Sequence, residues 1–235
     1  MNWQNIVFLL IGLWIGAIFH EYMHARIADR LGDHTARNAG RLTLNPIVHI
    51  DPIGTLILPI AILVIGRGAW PAFGYAKPVP VNPYLMKKPR RDMMLVALAG
   101  PTTNFMLAAA VTVVAMVVRL IANIQFGVSS GGRIVTTSGS AALGDLFLLL
   151  YMVAIINIFL GVFNLIPVPP LDGSHILEFF LPPHAREVYD SFSRYGFIVF
   201  FILIFVFGRY IFAWFEPLYS LMQQAIFGPL TSYLL

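Results

Sequence analysis

IVFLLIGLWIGAIFHEYMHARIA, residues 6–28, reads as one apolar helix interrupted near its end by three ionisable side chains, His20, Glu21 and His24. A bilayer crossing takes about 20 predominantly apolar residues, and residues 6–19 hold none that ionises. Residues 1–5 carry no basic side chain and no small-residue cleavage site follows, so the segment reads as a retained span and not a signal peptide. Placing an ionisable group at the centre of a span costs about 2.5–3.5 kcal/mol even on the lenient insertion scale. Three of them between positions 20 and 24 need a shared partner.

The rest of the chain has the same solvent. Of its 235 residues 58% are hydrophobic and only 11% charged, against roughly 25% charged in soluble domains. This composition excludes a separate soluble domain and points to a polytopic membrane protein. The net charge of +4 comes from Lys and Arg beside hydrophobic segments, where they report topology and not nucleic-acid binding. There is no cysteine, which rules out disulfides, thiolate metal sites and cysteine nucleophiles.

Arg26, Arg30, Arg37 and Arg41 follow the first span, so its C-terminal end is expected inside and the uncharged N-terminus outside. Residues 38–51 hold turn and short-strand formers. Residues 52–66 are apolar but short, broken by Pro59 and flanked by cations on both sides, which fits a re-entrant segment. The proline-rich stretch 71–83 is extended or looped. A long apolar segment, 93–121, then contains Gly100, Pro101 and Asn104. A small Gly/Ser/Thr-rich loop, 126–141, is placed outside, and 143–166 returns inward to a proline-rich turn. Residues 175–194 are the polar, inner stretch. Residues 197–215 form a further span, and 216–235 read equally as span or interfacial helix. The expected fold is therefore an all-α polytopic membrane protein, residues 1–235 forming one domain. Its three-helix core (6–28, 93–121, 143–166) lies within about 6–181, with a small membrane-associated β or re-entrant insert at about 38–92 and a C-terminal helical region at 196–235.

His20-Glu21-Tyr22-Met23-His24 is an H-E-x-x-H motif. On a helix, positions i and i+4 share one face, so both imidazoles reach one metal ion while Glu21 reaches a water beside it. Neutral nitrogen ligands suit zinc, which lowers the pKa of a bound water to about 7 and lets a carboxylate take its proton. A third ligand is required. Asp172 ends an otherwise uncharged span on the same side as the histidines. An ordinary turn at Asp172-Gly173 is the plain alternative, and Asp51, His175 and Glu178 are rival ligands.

H-E-Y-M-H in the first span, G-P-x-x-N at Gly100, Pro101 and Asn104, and N-x-x-P-x-P-x-L-D-G from Asn164 to Gly173 resemble, in this order, the site-2 protease family of intramembrane zinc metalloproteases. The resemblance covers residues 7–181. It implies one zinc per chain held by His20, His24 and Asp172, Glu21 as general base, and Asn164 as a contact to substrate backbone or oxyanion. It also implies an endopeptidase that cuts transmembrane segments of other proteins within the lipid bilayer, near the cytoplasmic side of what is expected to be the cell membrane. Asn104 is a weaker candidate for substrate contact, a tie between neighbouring helices being the simpler role. Asn157 reads as packing or polar glue. The loop 126–141 is too short for the PDZ domain many relatives carry, and no CBS domain follows, so this is similar to a minimal branch. A metal transporter or sensor with the same ligands is the rival, although no ionisable relay crosses the outer half of any span. A catalytically inactive member that only binds membrane segments is a second rival, against which the intact H-E-x-x-H weighs.

Overall fold

The structure, a computed structural model, describes residues 3–49, 51–57, 60–61, 64, 77–128, 134–138 and 141–227. Helix α1 (Trp3–Arg30) carries the first motif. It ends where the Asp33 N–H reaches back to the Ala28 carbonyl at 3.0 Å around Gly32 at φ 108°, a helix stop that a left-handed glycine permits. Two short helices, α2 (Thr35–Asn38) and α3 (Pro46–His49), and a π-helical turn, Pro52–Ile57, follow. Residues 77–82 are extended and lead through a 3-10 turn, Pro83–Leu85, to α4 (Pro89–Ile121). Pro89 suits the first helical position, where no N–H is needed, and Asp92 reaches back to accept the Lys88 N–H at 2.9 Å.

A two-stranded antiparallel ribbon, β1 (Gln125–Val128) with β2 (Ile134–Ser138), pairs Phe126 with Thr136 and Val128 with Ile134. The sequence reading gives this stretch only as a loop; its β-branched residues favour strand once two runs can pair. Next come α5 (Ala141–Asn164), α6 (Asp172–Phe180), α7 (Pro183–Ser193) and α8 (Gly196–Phe227). Helix α8 continues unbroken past residue 215 and through Pro217; residues 228–235 lie outside the described residues.

Among the described residues, three helices are long and apolar enough to cross a membrane: Gln4–Arg30, Pro89–Ile121 and Ala142–Asn164. They form the expected core. Helices α1 and α4 run antiparallel, since the partners of His20 and His24 fall from Asn104 back to Val96. Helices α1 and α5 run parallel, with Gly12 against Val153 and Gly16 against Asn157 and Leu160, small residues that let helix backbones approach in lipid. Away from the motif end, Ala108, Ala115, Phe147, Ala154, Met222 and Ile226 pack α4, α5 and α8 together. Helix α4 also caps its neighbours. Arg90 donates to the Phe179 and Leu181 carbonyls at the end of α6, and Arg119 to the Ile226 carbonyl near the end of α8. Cations at helix C-termini satisfy carbonyls left without partners.

The insert differs from expectation. No strand occurs among its described residues, and Pro46–His49 is a helical turn instead. The Thr43 carbonyl accepts from His49 Nε2 at 2.7 Å. Residues 58–59, 62–63 and 65–66 of the expected re-entrant segment, and residues 50 and 67–76 beside it, lie outside the described residues.

Candidate active site

His20 and His24 stand one turn apart on α1 with ring centroids 4.5 Å apart and planes at 85°. Both are buried. Asp172 is the first residue of α6, reached from α5 by a loop that turns back on itself through Leu171 N–H to Val168 O at 3.0 Å. Gly173 makes the return possible: a Cβ there would lie 2.3 Å from the Leu165 carbonyl oxygen and 2.5 Å from that of Ile166. Asp172 Oδ2 then sits 3.0 Å from His20 Nε2 and 3.3 Å from His24 Nε2.

The other ring nitrogens face α4. His24 Nδ1 lies 2.7 Å from the Val96 carbonyl oxygen and His20 Nδ1 2.6 Å from Asn104 Oδ1. Both partners are acceptors, so each Nδ1 carries the proton and each Nε2 presents a lone pair. Two lone pairs therefore face a carboxylate oxygen that is itself buried without a hydrogen-bond donor. Such a triad needs a cation. The ligand atoms lie within 4.8 Å of one another, and two neutral imidazoles with one carboxylate are a donor set that catalytic zinc uses, leaving a fourth position open. Gly100 forms the wall behind the pair: a Cβ there would fall 2.5 Å from both His20 Cε1 and His24 Nε2. Pro101, next along, has no N–H for the Ala97 carbonyl, loosening the helix ladder where the imidazoles dock.

Glu21 is half-buried beside the cluster, and its Oε2 accepts the Val79 N–H at 2.9 Å. The extended segment 77–82 is tied down on either side of that contact. Lys77 N–H donates to the His49 carbonyl at 2.9 Å and Asn82 N–H to Asp33 Oδ2 at 2.6 Å. Pro78 and Pro80 alternate with these donors and have no N–H of their own.

The structure thus brings together His20, His24 and Asp172. Asn104 is 0% exposed and stands behind His20; its Nδ2 donates to Asn157 Oδ1 at 2.9 Å and to the Gly16 carbonyl at 3.2 Å, so its amide is turned into the protein. Asn164 is half-buried at the end of α5 and donates to the Leu160 carbonyl of its own helix at 3.0 Å. Of the rival ligands, Asp51 caps the Ile53 and Gly54 N–H groups, and His175 faces Glu178 at 3.5 Å on α6. Sequence reasoning did not find the Val79 N–H or the Val96 carbonyl, because backbone groups leave no mark in the residue pattern. Gly100 was visible only as part of a motif.

The chain is similar to known proteins along most of its length. The model of peptidase family M50 matches residues 8–207. YwhC of Bacillus subtilis is 38% identical over 196 residues, covering 83% of this chain and 79% of that protein. Rip2 of Mycolicibacterium smegmatis is 29% identical over 205 residues, 87% and 69% of the respective chains. MJ0611 of Methanocaldococcus jannaschii is 28% identical over 185 residues, 75% and 73%. All three are named as zinc metalloproteases by assignment. No solved structure matches the chain. A helix-borne H-E-x-x-H completed by an aspartate from a later motif, in a chain matched from residue 8 to residue 207, makes this a zinc metallopeptidase of the membrane that belongs to peptidase family M50, the site-2 protease family.

Proposed function

We propose that the protein is an intramembrane endopeptidase that hydrolyses peptide bonds within the transmembrane segments of other membrane proteins, with Glu21 as general base. The observation that carries the reading is the placement of the His20, His24 and Asp172 triad on and between helices that are themselves long and apolar enough to span a bilayer. A substrate bond that reaches the triad must do so at membrane depth.

Zinc at such a site supplies Lewis-acid chemistry and lowers the pKa of a water to about 7. Glu21 takes the proton from the attacking water and returns it to the leaving amine nitrogen. The Val79 N–H holds one carboxylate oxygen, which leaves the other for that proton. Asn164, at the end of α5 and half-exposed, is the proposed contact for the substrate backbone, since its amide keeps a second N–H beyond the one given to Leu160. The substrate segment has to unwind locally, because helical carbonyls are engaged with their own amides. The exposed Ile47, Ile53, Ile57 and Ile60 of the insert support its lying against lipid beside the site. The cations at Arg26, Arg30, Lys87, Lys88, Arg90 and Arg91 support a cytoplasmic placement of the motif end, with the N-terminus outside and the cell membrane as location.

The test is zinc content and cleavage of a transmembrane substrate by the purified protein. Glu21→Gln should keep zinc and lose about 10²–10⁴-fold in kcat, whereas His20→Ala and Asp172→Ala should lose the metal as well. Undiminished cleavage by Glu21→Gln refutes the mechanism.

A further inference from the structure

We propose that Asn157, on a helix that contributes no ligand to the zinc site, is a positioning residue that governs zinc loading at His20 through a directed pair of amides, Asn157 to Asn104 to His20. The inference rests on the reading of His20, His24 and Asp172 as the zinc site.

The relay has a fixed starting point. The Val153 carbonyl can only accept, and it lies 2.8 Å from Asn157 Nδ2. The NH2 group of Asn157 therefore faces Val153 and its Oδ1 faces Asn104. Asn104 meets two acceptors, Asn157 Oδ1 at 2.9 Å and the Gly16 carbonyl at 3.2 Å, so its NH2 group points to them and its Oδ1 is left for His20 at 2.6 Å. Only the Nδ1–H tautomer of His20 satisfies that oxygen, and this tautomer places the lone pair on Nε2, toward Asp172. Reversing either amide sets oxygen against oxygen. Both asparagines are 0% exposed, so water has no access with which to repair a broken link. The polarity of one backbone carbonyl on α5 is thereby transmitted across α4 to a ring on α1. His24 has no such relay; its tautomer is set directly by the Val96 carbonyl.

Partners one step removed from a metal ligand typically change metal affinity about 10–100-fold. The experiment measures zinc affinity of the full-length protein in detergent by competition with a chromophoric chelator, beside 15N-histidine NMR spectra of the zinc-loaded protein. Asn157→Leu removes the acceptor for Asn104 and should weaken zinc binding about tenfold or more. Asn157→Asp should stay within about threefold of wild type, because a neutral buried carboxylic acid can donate to Val153 and still accept from Asn104. In the spectra, His20 Nδ1 carries the proton in wild type and Asn157→Asp, and that signal is lost or exchange-broadened in Asn157→Leu. If Asn157→Leu does not fold, Asn157→Ala decides at the same thresholds. Wild-type affinity together with an unchanged His20 signal in the apolar variant overturns the relay. His20→Ala and Asp172→Ala separate the two ideas: if they lose zinc while the Asn157 variants keep it, the relay alone fails, and if they keep zinc, the site reading fails and takes the relay with it.

Discussion

At the scale of single residues the site depends on what is missing from Gly100 as much as on its ligands. A methyl group there would stand 2.5 Å from His20 Cε1 and from His24 Nε2, inside any van der Waals distance. Alanine gains roughly 1 kcal/mol over glycine in a helix interior, so Gly100→Ala is expected to leave α4 intact and to splay the imidazoles. Zinc content should fall below half of stoichiometric, and the chelator-induced drop in melting temperature expected for wild type should be absent, because the metal no longer adds stability to the folded state. Val79 acts through its backbone. Val79→Pro deletes the N–H that holds Glu21 Oε2; a hydrogen bond to a charged group is worth about 1.5–3 kcal/mol, and kcat should fall at least about tenfold with zinc retained. Single-turnover cleavage beside metal analysis checks both parts. The difference in visibility between these residues has a physical origin. His20, Glu21 and His24 were legible because one helical turn brings them together, whereas Asp172 needed a chain reversal that only the later motif hinted at. The contacts of Val79 and Val96 are made by main-chain atoms that every residue possesses.

Among the elements, the extended segment 77–82 links the insert to the catalytic helix, and Asp33 is its anchor. The Asp33 carboxylate is buried and accepts from the Thr35 N–H at 3.0 Å and the Asn82 N–H at 2.6 Å. Burial alone would raise its pKa, but the hydrogen bonds from the Thr35 hydroxyl, Asn82 and the Thr35 N–H outweigh it and hold the group below its ordinary value. A folded-state pKa below the unfolded value means that the stability this group contributes is fully present above about pH 4 and is lost as the pH falls through the folded pKa. Protection of the Asn82 and Val79 amides from hydrogen exchange, taken relative to their intrinsic rates, should therefore fall on acidification below that range in wild type. Asp33→Asn, which turns an NH2 group toward one of the donors, should exchange fast at neutral pH and show no such acid limb. An acid limb retained in Asp33→Asn would assign the titration to another carboxylate. Elements with their own periodicity, α1, α4 and α5, were readable from hydrophobicity and length. The insert was not, because Pro46–His49 and Pro52–Ile57 are each too short for a pattern to accumulate, and turn formers at 43–46 serve a strand end and a helix start equally well.

Under the proposed topology and function, the molecule as a whole would work as a ruler whose zero is the C-terminal end of α1, the end proposed to be cytoplasmic. His24 lies six residues and His20 ten residues before Arg30, the last residue of the helix, which at 1.5 Å per residue sets them about 9 and about 15 Å inside that end. Arg90, at the start of α4, ties down the C-terminal carbonyls of α6, the helix whose first residue is Asp172. The third ligand is thus fixed to the same end of the bundle as the other two. If the substrate is a spanning segment, as proposed, a rigid triad at fixed depth would read position along it more than it reads sequence. The expected outcome concerns a model substrate with a polyleucine transmembrane segment, cleaved by the purified protein in liposomes and mapped by mass spectrometry. Three leucines added at the outer end should leave the cut at the same distance from the cytoplasmic flank. The same three added at the cytoplasmic end should move the cut three residues toward the N- or C-terminal side, whichever faces inward, because the bond at that depth is now a different one. A cut that keeps its distance from the outer flank in both substrates would mean that depth below the cytoplasmic face does not choose the bond, and the placement of the triad near one membrane face would then carry no selectivity.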